Sequence, residues 1–119
     1  MIKITPNLNL IDGRGTLNVF DRLPFDVKRF FTIEAPKGQV RGEHAHHETE
    51  MILYAISGII QIESIRKENT QTEILKPNSF GLRLNPDEFR KMTFLEHSIL
   101  LVLASTNFDQ NDYIFEVLK

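Results

Sequence analysis

Short apolar runs broken by turn residues recur along the whole chain, and the spacing of apolar positions nowhere sustains a helical period. Asn7 to Ile11 predicts a strand that ends at Asp12-Gly13-Arg14-Gly15, a turn signal, and Thr16 to Phe20 predicts the next. Leu23-Pro24-Phe25 interrupts, because proline cannot donate to a sheet ladder. Val27 to Ala35 is rich in β-branched and aromatic residues and predicts a long strand, closed by Pro36-Lys37-Gly38. A histidine-bearing strand follows, then Met51 to Ser57, closed by Gly58. Ile59 to Ile65 alternates, with Ile60, Ile62 and Ser64 set against Gln61 and Glu63. The polar stretch Arg66 to Gln71 predicts a hairpin loop, and Thr72 to Leu75 a short strand. Phe80 to Leu84, Phe89 to Thr93 and Ser98 to Ser105 complete the strands. Asp112 to Lys119 fits a short helix or a final strand equally well.

Many short strands at regular spacing predict an all-β sandwich or barrel, with residues 1–119 as one domain. Met51–Ser57 and Ile99–Ala104 are apolar on both faces, so each needs cover from a second sheet or a partner subunit. The chain has no cysteine, which removes disulfides and thiolate chemistry. Its longest apolar runs are too short to span a membrane, and the N-terminal residues lack the apolar core of a signal peptide, so a cytoplasmic location is expected. A net charge of −2 argues against non-specific nucleic-acid binding. The charge is uneven: residues 1–41 carry seven Lys/Arg and four Asp/Glu, the remainder seven and twelve. Arg14, Lys28, Arg29 and Arg41 are either a small anion site or scattered surface charge.

The chemistry concentrates in Arg41-Gly42-Glu43-His44-Ala45-His46-His47-Glu48-Thr49-Glu50, which holds three of the four histidines. Residues two apart on a strand share a face, so His44 and His46 project together. Such a pair can bind a metal or move protons. Gly38, His44-x-His46, Glu50 and Gly58 resemble the first motif of the cupin superfamily, small double-sheet β-barrels of the jelly-roll type. In metal-binding cupins this motif supplies two histidines and a glutamate, which correspond to His44, His46 and Glu50. A second motif supplies a further histidine. The matching stretch here, Gly81 to Lys91, has none, and Arg90 stands near the expected place, where a guanidinium cannot ligate a metal. Three ligands and a water still make a catalytic zinc set. The alternative is an acid–base pair, since an imidazole titrates near neutrality and two on one face can serve adjacent atoms.

Over its whole length the chain resembles the sugar-nucleotide 3,4-ketoisomerases, cupins that convert dTDP-4-keto-6-deoxyglucose to its 3-keto isomers. The likeness runs in order through Asp12-Gly13-Arg14-Gly15-Thr16-Leu17, Pro24-Phe25-Asp26-Val27-Lys28-Arg29, Arg41-Gly42-Glu43-His44-Ala45-His46, Gly81-Leu82 with Pro86, Leu101-Val102-Leu103-Ala104-Ser105 and Asp112-Tyr113-Ile114. The resemblance implies a proton shuttle without metal or other cofactor, with His44 and His46 catalytic. It implies a dTDP-linked 4-keto-6-deoxy sugar as substrate, and a homodimer that exchanges N-terminal strands. Arg14, Gly15, Arg29, Arg41, Phe31 and Phe89 are the substrate-binding candidates. Guanidinium groups suit a diphosphate, and Phe89 suits a stacked base. Phe31-Thr32 replaces the family's Tyr-Tyr pair, and Phe89-Arg90 its Trp-His. The competing readings are a metal-dependent cupin enzyme using His44, His46 and Glu50, and a non-catalytic sugar-nucleotide binder.

Overall fold

In the computed structural model, which describes residues 1–117, the alternating runs become two five-stranded antiparallel sheets. The strands are β1 (Ile2–Ile4), β2 (Leu8–Asp12), β3 (Gly15–Val19), β4 (Arg29–Ala35), β5 (Val40–His46), β6 (Met51–Ser57), β7 (Ile60–Arg66), β8 (Asn69–Leu75), β9 (Gly81–Leu84), β10 (Phe89–Phe94), β11 (Ser98–Ala104) and β12 (Tyr113–Ile114). One sheet runs β1-β9-β6-β11-β4, the other β12-β5-β10-β7-β8, and β2 with β3 forms a separate hairpin. The two sheets enclose one cluster of buried apolar side chains, among them Leu53, Ile60, Ile62, Leu82, Phe94, Leu100 and Val102. Fully burying such a side chain contributes roughly 1.5–3 kcal/mol.

The inward positions are graded along the barrel. On β10 they read Arg90, Met92, Phe94; on β7, in the opposite direction, Ser64, Ile62, Ile60. On β4 they read Arg29, Phe31, Ile33, Ala35. Antiparallel pairing brings the polar members of these series to one end and the apolar members to the other. The apolar end supplies the packing, and the polar end is left for chemistry.

Two expectations are adjusted. The stretch predicted as a loop from Arg66 to Gln71 is mostly strand: β7 and β8 pair through Arg66 and Asn69, leaving only Lys67 and Glu68 to turn. Strand β8 is a sheet edge whose residues are mostly exposed, so no apolar period marks it. Of the two alternatives for the C-terminal stretch, the final strand forms, but only over the two residues of β12, after a 3-10 turn at Gln110–Asp112; residues 118 and 119 lie outside the described part. The outer faces of β6 and β11 are covered in part by the chain itself. Phe20 and Leu23 lie over a groove lined by Ile52, Tyr54, Leu101 and Leu103, and Phe20 meets Tyr54 edge to face at 5.5 Å.

The β2–β3 hairpin stands apart as an arm. Leu8, Leu10, Ile11 and Leu17 on it are all exposed. The molecule is accordingly elongated, 49 × 32 × 25 Å.

Candidate active site

The site sits at the polar end of the barrel and is built mainly on β5. Its local geometry starts at a bulge. On β10, Arg90 pairs with His44 and Lys91 with Gly42, so Glu43 is an extra residue on β5. Gly42 and Glu43 both take positive φ, +88° and +57°. A Cβ on Gly42 would also lie 3.1 Å from the Arg90 carbonyl oxygen and 3.2 Å from Met92 Cε, so glycine suits this position on two counts. Beyond the bulge, His44 and His46 both point into the barrel, their rings 4.9 Å apart and edge to face.

Each imidazole is tied by the same nitrogen. His44 Nδ1–H donates to the Gly42 carbonyl at 2.9 Å. His46 Nδ1–H donates to Asp112 Oδ2 at 2.9 Å. A carbonyl and a carboxylate only accept, so both rings carry the Nδ1 proton and leave the Nε2 lone pair free. His46 Nε2 is buried and has no partner among the described residues. Asp112 is itself held: Thr49 Oγ1 donates to Oδ2, the Glu48 amide donates to Oδ1 at 2.8 Å, and Thr49 shares a second hydrogen bond with Thr106 at 2.6 Å.

The electrostatics keep both rings neutral. Burial pushes His46 down, the Arg90 charge and His44 push it further, and Asp112 only partly opposes this, leaving it at about 4. His44 is lowered by burial and by Arg90, against the pull of the Gly42 carbonyl. Burial alone would raise Asp112, but hydrogen bonds from Thr49, Glu48 and His46 outweigh it and hold the carboxyl below its ordinary value. Arg90, lowered by burial to about 10, stays charged at neutral pH. The site therefore presents two neutral imidazoles between a carboxylate and a guanidinium.

Tyr113 closes over the pair, with its ring 4.8 Å from His44 and 4.5 Å from His46, and Phe115 stacks on Tyr113 at 5.9 Å. Tyr113 and Phe115, with Phe108, Gln110 and Asn111, line an open cleft of about 520 Å³. Arg29 and Phe31 lie on the inward face of β4, and the Arg29 guanidinium sits over the rings of Phe31 and Phe108 at 5.4 and 5.7 Å.

A family profile described as "FdtA: WxcM-like, C-terminal" matches residues 2–119. The chain belongs to the FdtA family. It is 32% identical over 110 residues to TDP-4-oxo-6-deoxy-alpha-D-glucose-3,4-oxoisomerase of Aneurinibacillus thermoaerophilus, a match covering 88% of this chain and 79% of the relative. Among solved structures it resembles a 3,4-ketoisomerase from Helicobacter canadensis, with 31% identity, a TM-score of 0.88 and coverage of 97% and 90% of the two chains. It also resembles QdtA, a sugar 3,4-ketoisomerase from Thermoanaerobacterium thermosaccharolyticum in complex with TDP, with 29% identity, a TM-score of 0.89 and coverage of 97% and 87%. This FdtA-family chain is thus an isomerase of the sugar-nucleotide 3,4-ketoisomerase group on a cupin-type jelly roll.

Within one FdtA-family chain the fold gathers some of the sequence candidates and separates others. His44, His46, Arg29 and Phe31 converge. Arg41 pairs with Met92, on the other side of the bulge from the histidines, and is exposed. Arg14 and Gly15 lie at the tip of the arm, where Arg14 is 91% exposed and bonds to Asp12 at 2.7 Å. Phe89 precedes Arg90 on β10, so the two project to opposite faces of that strand, and Phe89 is half-buried. Glu50, just before β6, does not join the imidazoles but pairs with Arg83 of β9, whose strand partner is Ile52. No cluster of three or more His, Cys, Asp or Glu able to hold a metal occurs among the described residues, so the set His44, His46 and Glu50 does not fit one. Asp112, Thr49 and Tyr113 carry the site but were not singled out as site residues from sequence. Asp112-Tyr113-Ile114 was visible only as part of the family likeness, since nothing local shows that a segment 66 residues away closes over His46.

Proposed function

We propose that this chain converts TDP-4-keto-6-deoxyglucose to its 3-keto isomer, with His44 and His46 moving protons between C3 and C4. The observation that carries the reading is the pair of neutral imidazoles side by side, each with Nδ1 anchored and Nε2 free. One imidazole takes the proton from C3, and the C3–H electron pair forms a C3=C4 double bond as the C4 carbonyl becomes an enediolate. A proton passes between the two oxygens. The imidazolium, or its neighbour, then returns a proton to C4, and the C3 ketone forms. The sum is an isomerisation, with no redox partner. Neutral bases inside a covered pocket suit the first step.

Arg29, with its aromatic frame, suits the diphosphate, and the exposed Arg41, on the same strand as the histidines, is a further candidate for it. The outward apolar arm supports a homodimer in which the arm seats on a second copy, bringing Arg14 and Gly15 toward that copy's pocket. A nucleotide-sugar substrate, together with a cysteine-free chain, goes with a cytoplasmic location. No helix among the described residues is long and apolar enough to cross a membrane.

Incubation with TDP-4-keto-6-deoxyglucose in deuterated water tests the reading. Deuterium at C3 or C4 and a new 3-keto product are expected, and their absence overturns it. Replacing His44 or His46 by Asn is expected to lower kcat by about 10²-fold or more. Saturable binding of several TDP-sugars without turnover would instead establish a binding protein. Chelation is expected to leave activity unchanged; loss restored by a divalent metal would favour the metal reading.

A further inference from the structure

Proton transfer by the two imidazoles leaves one buried charge at the polar end without a task. Arg90 is 2% exposed. Its Nε donates to the Glu88 carbonyl at 3.1 Å, its Nη1 reaches only the Met51 sulfur at 3.5 Å, and its Nη2 is buried with no partner among the described residues. Burying a charged group with an unmade hydrogen bond is costly, and the next inward residues of the same strand, Met92 and Phe94, show what the barrel accepts when only packing is required. The nearby carboxylates do not neutralise it by direct contact. Glu88 accepts from Ser64 and from the Asn85 amide, and Asp112 is committed to His46, Thr49 and Glu48. Opposite it across the strand pair stands His44.

We propose that Arg90 is the electrophile of this site, its free Nη2–H binding the substrate carbonyl oxygen that becomes the enediolate. The proposal rests on the ketoisomerase reading. When the base removes the C3 proton, the electron pair moves into C3=C4 and the former C4 carbonyl pair moves onto O4, which then bears the negative charge. A fixed guanidinium in a water-poor pocket stabilises that charge without reorganising. The O3 proton then passes to O4, and when C4 is reprotonated the O3 electron pair forms the C3 ketone and the charge leaves. His44 and His46 are neutral, and Arg29 is framed by aromatic rings on β4, so Arg90, paired with His44 across β5 and β10, is the cation beside the imidazoles. The same charge helps to keep both imidazoles unprotonated and ready to accept. The titratable groups that bear on Arg90 are His44 and His46 from β5, Glu88 before β10, and Asp112 and Tyr113 from the C-terminal segment.

The test compares wild type with Arg90→Met and Arg90→Lys. Arg90→Met is expected to lose about 10²-fold or more in kcat while KM and TDP affinity stay within a few-fold. Its kcat/KM profile is expected to show an acid limb moved to higher pH, because both imidazoles lose a repelling charge. Arg90→Lys is expected to recover part of kcat and to return the acid limb toward wild type. Turnover by Arg90→Met within about threefold of wild type would overturn the proposal, since removing an oxyanion donor has a far larger effect. So would a loss of kcat with an unmoved acid limb, or one that tracks lost TDP binding in both variants. Should Arg90→Met fail to fold, Arg90→Gln carries the same comparisons. A wild-type protein inactive on the sugar fails the ketoisomerase reading itself, and the proposal with it; an active wild type with indifferent variants fails the proposal alone.

Discussion

His46 is fully covered by the protein, yet its nitrogen must gain and lose a proton. Asp112 matters because it fixes which nitrogen does so. Asp112→Asn keeps the shape but lets the amide donate, which can turn the ring to its other tautomer. We expect kcat to fall by about tenfold to 10²-fold while TDP binding holds, measured by steady-state kinetics and calorimetry. Burial also makes His46 a stability sensor. The unfolded chain binds a proton there below about 6.5, the folded chain only below about 4, so between those values the unfolded state holds more protons. Stability from His46 is therefore intact above pH 6.5, falls as pH drops, and is gone below about 4. The loss is on the order of 3 kcal/mol. Denaturant unfolding at pH 7.5 and 5 is expected to show more than half of this drop, and His46→Gln to flatten it.

At the scale of the element, the bulge in β5 carries most of the site's precision. Gly42 supplies the left-handed turn, the space for Arg90 and Met92, and the carbonyl that orients His44. Gly42→Ala is expected to cost about 1–2 kcal/mol of stability and to lower kcat by displacing the His44 ring, read by thermal unfolding and turnover. The strands that frame this bulge were legible in advance wherever one face is buried: β6, β7, β10 and β11 show the expected alternation or apolar run. That His44 shares a face with His46, and Arg29 with Phe31, was legible for the same reason, because a period of two survives any detail of packing; which face of β4 turns inward was not. The bulge, the edge strand β8 and the docking of Asp112 were not. Positive φ at Glu43 and Lys67 leaves no mark on an apolar pattern, and β8 has too few buried residues to make one.

For the whole molecule, the arm is the element least explained by one chain. Its exposed Leu10, Ile11 and Leu17 form no part of the buried core. With the arm seated on a second copy, light scattering is expected to report a dimer. Leu10→Asp with Ile11→Asp is expected to shift it toward monomer, and Arg14→Ala to raise KM while leaving the assembly intact. The charge asymmetry pointed to Arg14 and Arg29 together, but sequence alone could not say that one stands on the arm and the other in the barrel.

The short β12 has a further consequence. Two residues of strand hold Tyr113 over an imidazole that has no exposed surface, while the apolar end of the barrel is locked by full-length strands. Amide hydrogen exchange should therefore be uneven within one fold. Tyr113 and Ile114 are expected to exchange early through local opening, and Phe94, Leu100 and Val102 only through global unfolding. Bound TDP-sugar should slow the first group and leave the second unchanged, so that the breathing of one small strand sets how often His46 can be reached.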